Sequence, residues 1–202
     1  PENGDPLWYM DEKDANKNPT GRRVTTNDYS SADYYYVNKS SLPKVYGGFN
    51  TSLSWKGFDL SAIFAYSIGG YIYNRDITMI LHNGSLEGRD WSTEILKRWT
   101  PDNRYTDVPA LSTTSNNWNS ASTRFLQNNS YMRLKNLTLS YNLPKQWISK
   151  LSLSSVQVYV QGDNLFTIHR NQGLDPEQGI TGITYYRYPA MRTISGGINV
   201  SF

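Results

Sequence analysis

The stretch "KVYGGFNTSLSWKGFDLSAIFAYS", residues 44–67, decides the fold class. In its second half Phe58, Leu60, Ala62, Phe64 and Tyr66 share one parity, opposed by Asp59, Ser61, Ile63, Ala65 and Ser67. A period of two with one apolar side is the mark of a strand that buries a single face. In the first half Val45, Phe49, Leu53 and Trp55 repeat the pattern, and only Lys56 and Gly57 separate the two runs. That spacing and chemistry predict a two-residue hairpin, with the strands as antiparallel neighbours.

The same period recurs downstream. Leu137, Leu139 and Tyr141 oppose Asn136, Thr138, Ser140 and Asn142, with a phase slip upstream that fits a bulge, and Pro144 stops the run. Val156, Val158 and Val160 oppose Gln157, Tyr159, Gln161 and Asp163. The closing "ISGGINVSF" sets Ile194, Gly196, Ile198, Val200 and Phe202 against Ser195, Gly197, Asn199 and Ser201. Strands are expected at about 45–55, 57–67, 124–141, 155–167 and 190–202, with one helical turn between the third and fourth. Connections alternate short and long, the long ones being 68–123 and 168–189, so all short turns fall at one end of the sheet. Transmembrane β-barrels show that asymmetry. Their aromatic girdles match the rings near the strand ends, and a wet lumen suits the Asn, Gln and Ser of the opposite faces. A soluble β-sandwich alternates in the same way, and periodicity alone leaves both readings open.

Composition narrows the classes of function. Charged residues make up 18% of the chain, against about 25% in ordinary soluble domains. The net charge of +3 comes from scattered Lys and Arg, so the basic stripe that nucleic acid requires is missing and nucleic-acid binding is not expected. The chain has no cysteine, which excludes disulfides and thiolate metal sites. No nucleophile elbow, phosphate loop or histidine-centred triad is present, and no cofactor or catalytic residue is expected.

Together, five stretches resemble one family. "LPKVYGGFNTSLSWKGFDLSAIFAYSIGGYIYN" (42–74), "RWTPDNRYTDVPAL" (98–111), "FLQNNSYMRLKNLTLSYNLP" (125–144), "VQVYVQGDNLFTIHRNQGLDPE" (156–177) and "YPAMRTISGGINVSF" (188–202) are similar in order and spacing to the C-terminal barrel of SusC/RagA-type TonB-dependent outer-membrane transporters. The resemblance implies an all-β fold: the last five or six strands of a roughly 22-stranded antiparallel transmembrane barrel, with long extracellular loops. It implies residence in the outer membrane of a Gram-negative bacterium, in contact with lipid and with the remainder of the barrel. It further implies uptake of glycans or oligopeptides delivered by a SusD-like surface lipoprotein, with TonB acting on an N-terminal plug that these residues do not match. Residues 1–44 are expected as an extracellular loop with room for a preceding strand. So few strands cannot close such a barrel, and the chain is expected to be a C-terminal piece that needs the rest. A soluble aromatic-rich carbohydrate-binding sandwich is the rival reading, and a porin-like barrel without energy coupling is the third.

Site expectations follow. Trp118, Tyr185 and Tyr186, as exposed loop rings, are candidate substrate contacts, because flat rings give large contact at low entropic cost. Asp14, Asn16 and Asn18 have calcium-loop spacing, but Pro19 and Thr25 stand where the turn glycine and the bidentate carboxylate belong, so a solvated loop is the leading reading there. His82 and His169 are expected as polar surface, and residues 87–101 as an amphipathic helix presenting Trp91, Ile95, Leu96 and Trp99. The terminal Phe202 resembles the assembly signal of outer-membrane proteins.

Overall fold

The structure is a computed structural model that describes residues 3–82, 88–112, 117–177 and 179–202. The chain divides into two units, residues 1–39 with 74–126, and residues 40–73 with 127–202. In chain order the elements are β1 (Trp8–Lys13), β2 (Pro19–Thr26), β3 (Val45–Trp55), β4 (Phe58–Ile68), β5 (Tyr71–Tyr73), α1 (Arg75–Ile80), β6 (Leu126–Asn128), β7 (Tyr131–Asn142), α2 (Lys145–Ile148), β8 (Ser155–His169) and β9 (Thr193–Ser201). Among the described residues, no helix is long and apolar enough to cross a membrane.

The second unit is built on one antiparallel sheet in the order β3-β4-β7-β8-β9. Lys56 and Gly57 join β3 to β4 with φ of 46° and 89°, the pair of positive values that a type I′ hairpin turn demands. Register then lines the apolar residues up across all five strands. Leu53 faces Leu60, Leu60 faces Leu139, Leu139 faces Val160 and Val160 faces Gly196, with Trp55, Phe58, Tyr141, Val158 and Ile198 forming the next row. Phe49 stacks on Phe64 at 4.8 Å, and the rings of Phe58 and Tyr141 meet at 4.5 Å. Leu53, Trp55, Phe58, Leu60, Leu139, Val160 and Ile198 are nonetheless exposed, so this face of the sheet is open over most of its area, with Ala62 and Leu134 buried on it. A sandwich would cover it with a second sheet.

The opposite face is polar and knitted together. At the short-turn end Ser54 donates to Asp59, Asn142 donates to the other Asp59 oxygen at 2.7 Å, Gln157 to Asn142 at 3.2 Å, and Asn199 to Gln157 at 3.2 Å, so one chain of hydrogen bonds crosses five strands. Tyr159 lies over Gly197 on this face, where a Cβ would come within 2.7 Å of the phenol oxygen. Gly197 in "ISGGINVSF" thus makes room for a cross-strand ring. The expected slip in β7 is a bulge at Lys135, between Leu134 and Asn136, answered on β8 by Asn164 with φ 52°. The long strand begins at Tyr131 rather than near 124, because Thr123–Phe125 is a 3-10 turn and β6 is separate. The last strand runs from Thr193 to Ser201.

The first unit carries the β1–β2 hairpin and a small core in which Ile95, Val108 and Trp118 are buried together. Two expectations change here. The helix expected over 87–101 is a single 3-10 turn, Thr93–Lys97, capped by Ser92; Glu87 lies outside the described residues. Five residues are too few for cooperative helix growth, so burial of Ile95 rather than intrinsic propensity holds the turn. His82, expected on the surface, is 1% exposed and accepts a hydrogen bond from the Trp91 indole at 3.1 Å. An imidazole that accepts from an indole N–H is readily enclosed, whereas periodicity carries no signal for such a pair.

Candidate functional site

The polar face of the sheet is where the long β8–β9 connection turns back. Cross-strand pairing puts Leu134 and Phe166 on the apolar side, so Arg133 and its partner Thr167 belong to the polar side. The bulge at Lys135 adds a second cation beside Arg133. Arg133 donates from Nε to Thr167 at 2.8 Å, from Nη1 to Glu177 at 2.8 Å and from Nη2 to Asp175 at 2.5 Å, and Lys135 reaches Glu177 at 2.9 Å. The Arg133 and Asp175 side chains are 3% and 6% exposed. Glu177 and Lys135 are each 36% exposed, so their pair adds little, whereas loss of either partner of the buried pair strands a charge and costs about 3–5 kcal/mol.

Further side-chain and backbone bonds tie the β8–β9 connection down as a strap. Asn129 donates to the carbonyl of Pro176 at 2.8 Å, and Asn171 to Asn129 at 2.7 Å. Ser41 donates to the carbonyl of Ile180 at 2.9 Å, Tyr73 N–H to Gly182 at 2.7 Å, and Thr184 N–H to Tyr73 at 3.2 Å. Gly182, at φ +74°, leaves no room for a side chain: a Cβ would lie 2.7 Å from that of Ser41. Directly beyond this pinned segment stand Tyr185 and Tyr186, 56% and 66% exposed, with Tyr186 at φ +40°. A non-glycine residue in that region is strained and persists only where its surroundings over-determine it.

Asp175 is held below the usual carboxylate range. Burial alone would raise its pKa, but the N–H groups of Ala190 and Glu177 and the Arg133 guanidinium overrule it. A depressed folded-state pKa contributes stability that is present above the ordinary value of 3.8 and lost as pH falls through the lowered one. Protease resistance of the loop around Asp175 in the folded protein is therefore expected to hold from neutral pH down to about pH 4 and to fall only below it. In an Asp175→Asn variant that acid step is expected to vanish.

The other expected residues are dispersed. Trp118 is not the exposed ring anticipated: at 3% exposure it is a core residue of the first unit, because Ile95 and Val108 close over it. Asp14 caps the β1–β2 turn, its Oδ1 accepting from the N–H groups of Asn16 at 2.8 Å and Asn18 at 2.9 Å, so the calcium-like spacing serves a backbone turn. Phe202 is 92% exposed at the end of β9. The first unit also has a cleft of about 710 Å³ whose wall includes Trp8, Tyr9, Tyr29 and Tyr35, with the Arg23 guanidinium 3.9 Å from the Tyr35 ring centroid. Sequence reading missed the strap. The available signal was two cations, Arg133 and Lys135, in an otherwise uncharged strand, answered by Asp175 and Glu177 in the long connection after the next strand.

No family model matches the chain. It is 34% identical over 166 residues to TonB-dependent receptor P3 of Formosa agariphila, covering 77% of this chain and 16% of that receptor. It is 28% identical over 168 residues to TonB-dependent receptor SusC of Bacteroides thetaiotaomicron, covering 83% of this chain and again 16% of the relative. Its fold is similar to a chain of the RagAB peptide transporter structure, with a TM-score of 0.82 and 35% identity over 100% of this chain and 21% of the other.

Proposed function

The chain belongs to the SusC/RagA-type TonB-dependent receptors, and from that premise we propose that it forms a section of barrel wall, with its attached loops, in an outer-membrane nutrient importer. The open apolar face contacts lipid and the knitted polar face lines the lumen. The cargo class is an oligomeric nutrient, a glycan or an oligopeptide, received from a SusD-like surface lipoprotein. TonB supplies energy through parts of the receptor beyond these residues. The importer moves cargo without covalent chemistry, and it resides in the outer membrane of a Gram-negative bacterium. One observation carries the reading: a five-stranded sheet, apolar on one side and hydrogen-bonded on the other, in a chain that matches, over its own whole length, 21% of a transporter chain.

Uptake of labelled oligosaccharides and oligopeptides by cells with and without the receptor, and with and without TonB, tests it. One class is expected to enter only when both are present. Uptake that ignores both would overturn the importer. Within this reading Tyr185 and Tyr186 are substrate contacts, and their joint replacement by Ala is expected to raise the KM for uptake about tenfold at unchanged surface level. Phe202 acts as an assembly signal: its deletion is expected to lower the amount of assembled receptor and leave uptake per assembled copy unchanged.

A further inference from the structure

We propose that Arg133 is the positioning residue that fixes the β8–β9 connection as a rigid shelf on the polar face of the sheet, so that Tyr185 and Tyr186 meet cargo from a constant place. The role of the rings rests on the importer reading; the shelf rests on geometry alone. Three features carry it. The guanidinium spends three separate N–H groups on a neighbouring strand and on two loop carboxylates, a forked arrangement that a lysine ammonium cannot reproduce. It does so while almost wholly buried, on the polar side of the wall and at the end of the sheet where the connection begins. The segment held this way is pinned again at 180–184, and the strained Tyr186 follows immediately. A mobile lid would have few buried contacts and many solvent-exposed backbone bonds. This connection is exposed along much of its length but is anchored at buried points, the Arg133–Asp175 pair, Asn171 and Thr184, which make it a fixed part of the passage.

The test uses the full-length receptor in membranes, with spin labels on Lys150→Cys, in the short connection at one end of the sheet, and Tyr188→Cys, an exposed site on the shelf. One narrow distance population is expected in the otherwise unaltered protein. Arg133→Met is expected to broaden it and to raise the uptake KM about tenfold, with the maximal rate per assembled copy unchanged, and Arg133→Lys is expected to restore neither. If Arg133→Met fails to assemble, the isosteric Asp175→Asn is read in its place and the same broadening is expected. A distribution that stays narrow in the assembled variants, or full rescue by lysine, would overturn the proposal. Absence of uptake by the unaltered receptor would overturn only the importer reading, because the distance measurement still decides the shelf.

Discussion

Trp118→Ala in the full-length receptor is expected to open the first unit to protease while the second unit stays protected. The ring is 3% exposed against Ile95 and Val108, and the Arg124 guanidinium lies 5.6 Å from its centroid. Truncating a buried Trp removes its transfer free energy and leaves a cavity, together about 3–5 kcal/mol. In so small a core little remains to collapse into the space. Trp118→Phe is expected to lose less, since it keeps a ring and removes an indole N–H that finds no acceptor among the described residues. Limited proteolysis followed by mapping of the cleavage sites reads the result. Cleavage confined to residues 88–112 and 117–126 is expected for Ala, at protease levels that leave the unaltered protein intact, and an unchanged pattern would remove Trp118 from the core.

Leu139→Arg is expected to reduce the assembled receptor sharply, whereas Ser61→Arg is tolerated. Leu139 sits mid-sheet between Leu60 and Val160 on the apolar face. Ser61 pairs with Thr138 on the polar face. A guanidinium facing lipid near the middle of the membrane costs about 2–4 kcal/mol, while the same group in a wet lumen stays hydrated. The two substitutions lie on adjacent strands, one residue apart in register, and differ chiefly in the face they load. Folded and unfolded receptor separate by their mobility in unheated gels. Equal losses for the two variants would contradict the assignment of faces.

The hairpin of β3 and β4 was legible because two independent signals agreed: alternation on both sides, and a Lys56–Gly57 pair suited to positive φ. The bulge was legible as a slip of phase before Asn136. The loops resisted for a physical reason. Their contacts are set by tertiary structure, so nothing periodic distinguishes an enclosed Trp118 or His82 from an exposed one. The Arg133–Asp175 pair joins residues 42 apart, and only the pairing of β7 with β8 shows that the following loop can reach back to that face. Asp14 teaches a related lesson: alternating oxygens suit a calcium ion, but they also suit a turn whose own N–H groups need an acceptor. The resemblance to a family of transporters supplied the membrane, which the pattern had left open against a sandwich.

The most direct test of the barrel-wall account is collisional accessibility of single spin labels along β8 in the full-length receptor reconstituted in bilayers. Labels at Val156, Val158 and Val160 are expected to be relaxed by oxygen and shielded from a water-soluble nickel complex, with labels at Gln157 and Gln161 shielded from oxygen. Alternation with period two supports a wall between lipid and lumen. Equal access of the nickel complex to both series would contradict it.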